Sequence, residues 1–244
     1  PIYLGEADLR AARDLLSGAP DGGAALIRVL DGLATVHMDR NDAEGALALG
    51  NEALLLRRRI YGEDAPEMAA GYNNLGYGLV GAGRFAEAAD AYRRTYEIDT
   101  RQGEVDNYDA LGTLSNWGWA LLRAGEIAPA RELLMRADLG LAALEGKPRL
   151  MHVLNGQKLC RVDALYVLDQ AADSCGRMLE TSRRFTGGAG MFWGYAQQLD
   201  AAYRLETGEF DLAQAAIDAA LVEHPDSPEH ARGRGGALQL RAQL

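Results

Sequence analysis

The run Gly76-Tyr77-Gly78-Leu79-Val80-Gly81 matches G-x-G-x-x-G letter for letter. In a dinucleotide-binding turn such glycines let backbone amides approach a pyrophosphate, with a strand before them and a helix opening on them. Here apolar or small residues recur at three- and four-residue spacing through the run itself, from Tyr72 to Val80. The glycines are therefore expected inside a helix, and no nucleotide site is expected. The four histidines, His37, His152, His224 and His230, form neither H-E-x-x-H nor a Cys/His set at zinc spacing. His224 and His230 bracket a proline-containing turn and read as surface residues. Acidic side chains are plentiful but scattered, with no pair set in apolar surroundings that would tune one as a general acid. G-x-S-x-G and G-x-x-x-x-G-K-[ST] are both missing. Arg232-Gly233-Arg234-Gly235-Gly236 is one short RGG-like copy in an acidic chain, too little for a nucleic-acid element. Cys160 and Cys175 form no framework; they lie on neighbouring helices, and buried free thiols are expected unless the domain is exported. No catalytic residue, metal or cofactor is expected.

What must position all of these residues is a repeat. Asn41, Gly83, Gly125 and Val167 are spaced 42 residues apart, and an alanine follows five residues after each: Ala46, Ala88, Ala130 and Ala172. Self-similarity at such a period is the signature of a solenoid, in which each unit buries its apolar face only against its neighbours. In the clearest unit an amphipathic stretch ends near Val80, glycines break it, and a second carries Phe85, Ala88, Ala89, Tyr92, Tyr96 and Ile98. Two helices joined by so short a turn lie antiparallel. Gly76 and Ala88 are placed where the two cross, and a bulky side chain there would force the backbones apart. Gly62, Gly103, Gly146 and Gly187 recur at 41–43 residues and are expected to end the second helices. Unit four has Val167 in place of the turn glycine, and unit five is expected to shift by one residue, to Gly208, Ala213 and Ala216.

Leu75-Gly76, Gly83-Arg84-Phe85, Glu87-Ala88 and Tyr92 together resemble the tetratricopeptide repeat. The 42-residue period, Asn73-Asn74-Leu75 and Arg59-Ile60-Tyr61-Gly62-Glu63-Asp64-Ala65-Pro66-Glu67 resemble its kinesin-light-chain type, although that type usually has histidine where this chain has Ala65. The resemblance implies an all-α fold: an α-solenoid of about five antiparallel helix pairs in a right-handed superhelix. Units of about 24–66, 67–107, 108–149, 150–189 and 190–222 are expected, between flanking helical segments at 1–23 and 223–244. The start at proline and the end on Gln243-Leu244 read as those of a segment of a longer protein.

In that family the first helices line a concave groove. Taking Leu33, Leu75, Trp117 and Leu159 as equivalent core positions, two residues earlier gives a polar row: Asp31, Asn73, Ser115 and Gln157. Two residues later gives Thr35, Tyr77, Trp119 and Arg161. These eight are the expected partner-binding residues, the first row for peptide amides, the second for apolar area and charge.

A net charge of −10 argues against a general nucleic-acid surface. Arg57-Arg58-Arg59 is the one dense basic run and reads as a solvated helix face. No apolar stretch approaches the roughly 18 residues that span a bilayer. The cytoplasm is favoured; the periplasm would fit a parent with a membrane segment upstream. The expected role is a non-catalytic module, a scaffold for a protein or peptide partner. The alternative is a ligand-responsive sensor domain of a bacterial kinase or transcriptional regulator.

Overall fold

The computed structural model describes residues 5–18, 23–103 and 106–244, and among them are twelve α-helices and no strand. Parts of the expected flanking segment 1–23, residues 1–4 and 19–22, lie outside the described residues. The chain forms two compact units, Pro1–Glu126 and Ile127–Leu244. The first holds α1 (Glu6–Ser17), α2 (Gly23–Asp39), α3 (Ala43–Tyr61), α4 (Glu67–Gly81), α5 (Phe85–Arg101) and α6 (Tyr108–Ala124). The second holds α7 (Ile127–Ala143), α8 (Leu150–Tyr166), α9 (Leu168–Thr186), α10 (Met191–Glu206), α11 (Phe210–Glu223) and, after a 3-10 turn at Pro228–His230, α12 (Ala231–Arg241). The third sequence repeat is thus divided: α6 closes one unit and α7 opens the other.

The turns explain why the period is so visible. Asn41, Gly83, Gly125 and Gly208 all have positive φ, between 61° and 93°, and Asn41 is the sole non-glycine among the described residues to do so. In each, the next residue's amide reaches back to the carbonyl five before it: Asp42 to His37 at 2.8 Å, Arg84 to Leu79 at 2.9 Å, Glu126 to Leu121 at 2.9 Å, Glu209 to Arg204 at 2.8 Å. That six-to-one bond closes a helix through a left-handed residue, which glycine adopts without strain and asparagine tolerates. Val167 cannot take that conformation cheaply. It sits at φ −140° and its amide bonds instead to the Asp163 carbonyl at 2.9 Å, so α8 and α9 are separated by one residue.

The shortened turn moves the register. Ala46, Ala88 and Ala130 are buried as expected, but in unit four Ala172 is exposed and Ala171 is fully buried in its place. The buried alanines are therefore 46, 88, 130, 171 and 213, and the one-residue slip expected in unit five occurs one unit earlier, at the turn without glycine.

The crossing points are tight, as expected. A Cβ on Gly76 would lie 2.9 Å from the Tyr92 ring, and Tyr92 packs with Leu47, Leu79, Ala88 and Ala120 in one apolar cluster. The G-x-G-x-x-G run lies wholly inside α4. Charge also enters the interior. Arg57, read from sequence as solvated, is buried and clasps Asp31 with both guanidinium nitrogens, at 3.2 and 2.5 Å. In the second unit the buried carboxylate of Asp163 accepts from Arg131 Nε at 2.6 Å, and Arg131 also reaches Gln170. His224 was expected at the surface; its ring is fully buried between Gly194 and Gly233, where a Cβ would lie within 2.6 Å of a ring atom.

Candidate interaction surface

The two expected rows have different fates. In the polar row, Asp31 is half-buried and held by Arg57, and it also accepts from Asn74 Nδ2 at 3.1 Å, which ties α4 to α2. Gln157 on α8 donates to the Phe192 carbonyl on α10 at 3.2 Å. Gln198, which the sequence reading passed over, repeats this bond one unit later, donating to the Gly233 carbonyl on α12 at 2.9 Å. These amides fasten neighbouring first helices to one another. Ser115 is fully buried and offers no surface, a correction to its expected place in a groove. A small hydroxyl can bury where a longer amide would protrude. Asn73 differs: it is half-buried and makes no side-chain hydrogen bond among the described residues.

In the second row Thr35, Tyr77 and Arg161 are exposed and Trp119 is half-buried. Thr35 is exposed, with its hydroxyl donating to the Asp31 carbonyl at 3.1 Å, and Arg161 is exposed on α8 in the second unit. Tyr77 is 56% exposed, too much for a core residue. It lies one helical turn beyond Asn73, so the two share a face of α4. Trp119 is half-buried, and Arg123, one turn further along α6, lies over its ring at 5.5 Å. Arg123 also lies over Phe85, at the start of α5, at 4.4 Å. Stacking on two rings fixes a guanidinium plane while leaving its N–H edge outward. Among the described residues no carboxylate pairs with Arg123. Sequence reasoning missed this residue because its ring partners lie four and 38 positions away.

A depression in the same unit, about 740 Å³, is lined by Glu63, Asp64, Tyr72, Arg94 and Arg101 among others. Its charges answer one another. Tyr72 donates to Glu63 at 2.9 Å, Arg94 reaches the Tyr72 hydroxyl at 3.1 Å, and Arg101 pairs with Asp64 at 3.1 Å. The Gly62-Glu63-Asp64 stretch thus fastens α3 and α5 to the start of α4. Among the described residues no cluster of three or more His, Cys, Asp or Glu side chains could hold a metal ion, and no helix is long and apolar enough to cross a membrane.

The tetratricopeptide repeat model matches residues 25–101. No curated protein matches the chain. Among solved structures, BtubC (BKLC) from P. vanneervenii superposes with a TM-score of 0.73 at 19% identity, covering 90% of this chain and 90% of that one. A kinesin light chain with nearly identical TPR-like repeats from Podosopora anserina gives 0.69 at 14% identity, covering 80% and 93%. YrrB, a tetratricopeptide repeat protein with an unusual peptide-binding site, gives 0.53 at 15% identity, covering 98% and 100%. Identities this low speak for the fold alone. The tetratricopeptide repeat model thus covers residues 25–101, and the described helices as a whole have the same all-helical repeat fold as these solved structures.

Proposed function

We propose that the chain is a non-catalytic interaction module that holds a segment of a protein or peptide partner on the outward face of α4 and α6 in its first unit. One observation carries this reading: Tyr77 stands exposed in the same 42-residue register as Trp119, with the uncommitted Asn73 amide beside the one and the stacked Arg123 beside the other. An exposed aromatic next to an amide offers apolar contact and a hydrogen bond to peptide backbone together. Aromatic and arginine side chains are the types that dominate binding energies. Thr35 on α2 would extend the surface, while Arg161 would contribute from α8 in the second unit as a separate contact. That YrrB carries a peptide-binding site on a related fold supports the reading by analogy.

Truncating a binding hot spot costs about 2 kcal/mol, or roughly 30-fold in affinity. Tyr77→Ala and Trp119→Ala should each weaken a peptide selected on the wild-type chain by that factor in calorimetric titration, with melting temperature nearly unchanged. Normal affinity in both variants would overturn the assignment of the surface.

A further inference from the structure

Cys160 and Cys175 are joined by a disulfide, which corrects the expectation of free thiols. The bond links α8 to α9 across a Cα–Cα distance of 4.6 Å, within bridging range, and both residues are buried. Its position in the repeat is informative. Cys160 lies 84 residues, two full periods, after Gly76. Counted from the buried alanines, Cys175 lies four residues after Ala171, as Tyr92 lies four after Ala88. In the first unit those two positions are the tight contact of Gly76 on the Tyr92 ring. In the second unit the large aromatic is missing and a covalent bond spans the same crossing.

The surroundings show what the bond replaces. The apolar cluster at this crossing is built of Cys160, Ala171, Cys175, Met178 and Ala196, with the partly buried Trp193 and Tyr203 of α10 packed against it, so no aromatic comes from α8 or α9 themselves. The turn between the helices lacks its left-handed glycine, and Asp163 and Asn155 bring buried polar groups onto α8. The Asn155 amide donates to the Leu134 carbonyl at 3.0 Å, but its Oδ1 has no partner. With the glycine turn and the aromatic knob both missing from the pair, a cross-link that limits its unfolded states adds directly to its stability.

We propose that Cys160–Cys175 is a redox-dependent clip: the α8–α9 pair is held as a fixed hairpin while the cysteines are joined, and it loosens when a dithiol reduces them. In that step the S–S bond accepts two electrons and two protons to give two thiols, and the dithiol is oxidised to its own disulfide. Both sulfurs are buried, so the reductant reaches them through local opening of the pair. The clip belongs to a chain folded in an oxidising compartment, where such bonds persist. Because α8 also carries Arg161, reduction would withdraw it from any partner; this last link rests on the interaction reading above, whereas the clip does not.

The test is hydrogen exchange on the full chain, air-oxidised and then treated with dithiothreitol, with iodoacetamide labelling and mass spectrometry to count thiols. The oxidised chain should take up no label even when unfolded, and the reduced chain two labels. For a loop of this length the model of constrained unfolding gives roughly 100-fold less protection on reduction. That loss should appear in α8 and α9 and be absent from α3 to α5. A Cys160→Ala/Cys175→Ala variant should exchange like the reduced chain and ignore dithiothreitol. Two labelled thiols in the oxidised, unfolded chain would overturn the proposal. So would protection of α8 and α9 that does not change on reduction.

Discussion

Arg57 reaches across from α3 to put two guanidinium nitrogens on Asp31, and Asn74 donates to the same carboxylate from α4. With the Arg57 side chain 7% exposed, removing its carboxylate strands a charge in the interior. Asp31→Ala should therefore cost about 3 kcal/mol in urea unfolding. A loss below about 1 kcal/mol, the worth of a surface pair, would contradict the burial argument. None of this was legible in the sequence, because Arg57 lies 26 positions from Asp31 and Asn74 lies 43. His224 is similar. Burial, and then the neighbouring His230, push its imidazole below the ordinary 6.5, with Glu223 opposing. The fold holds the neutral ring, so this contribution is complete above the ordinary value. It is lost as pH falls below that value toward the lowered one, because the unfolded chain binds the proton first. Melting should fall as pH drops below the ordinary 6.5. His224→Phe keeps a ring between the two glycines and removes two unpartnered nitrogens, so it should flatten this part of the pH dependence without loss at neutral pH. An unchanged pH profile in that variant would contradict the assignment.

At the level of elements, the period was readable because each hairpin solves the same two problems with the same residues. A left-handed turn wants glycine or asparagine, and a close crossing wants a small residue. Gly83 has φ 74°, so Gly83→Ala should destabilise by about 1–2 kcal/mol, measured by urea unfolding. Val167→Ala, at a turn with negative φ, should cost less than half of that. Equal losses would mean that the two turns are not built differently. The slip at Ala171 was hidden for the same reason. A valine carries no turn signal, so nothing in the chain announced that one residue had been dropped from the connection. Of the two rows on the first helices, spacing alone picked out the exposed Thr35, Tyr77 and Arg161, but not that Trp119 is half-buried under Arg123. The other, Asp31, Ser115 and Gln157, faces neighbouring helices, and only the packed structure shows which way each side chain is spent.

For the molecule as a whole, the claim is that one surface in the first unit is kept for a partner while the opposite helices serve as support. Exposed apolar area is scattered over the chain, so the location of binding, and not its mere occurrence, separates this account from others. The most direct measurement is an amide chemical-shift map of the isotope-labelled chain titrated with a peptide selected on it. The account predicts that the largest changes cluster on α4 and α6, around Asn73, Tyr77, Trp119 and Arg123, with α3 and α5 little affected. Changes centred on α3 and α5, or on the depression around Tyr72 and Arg94, would contradict it.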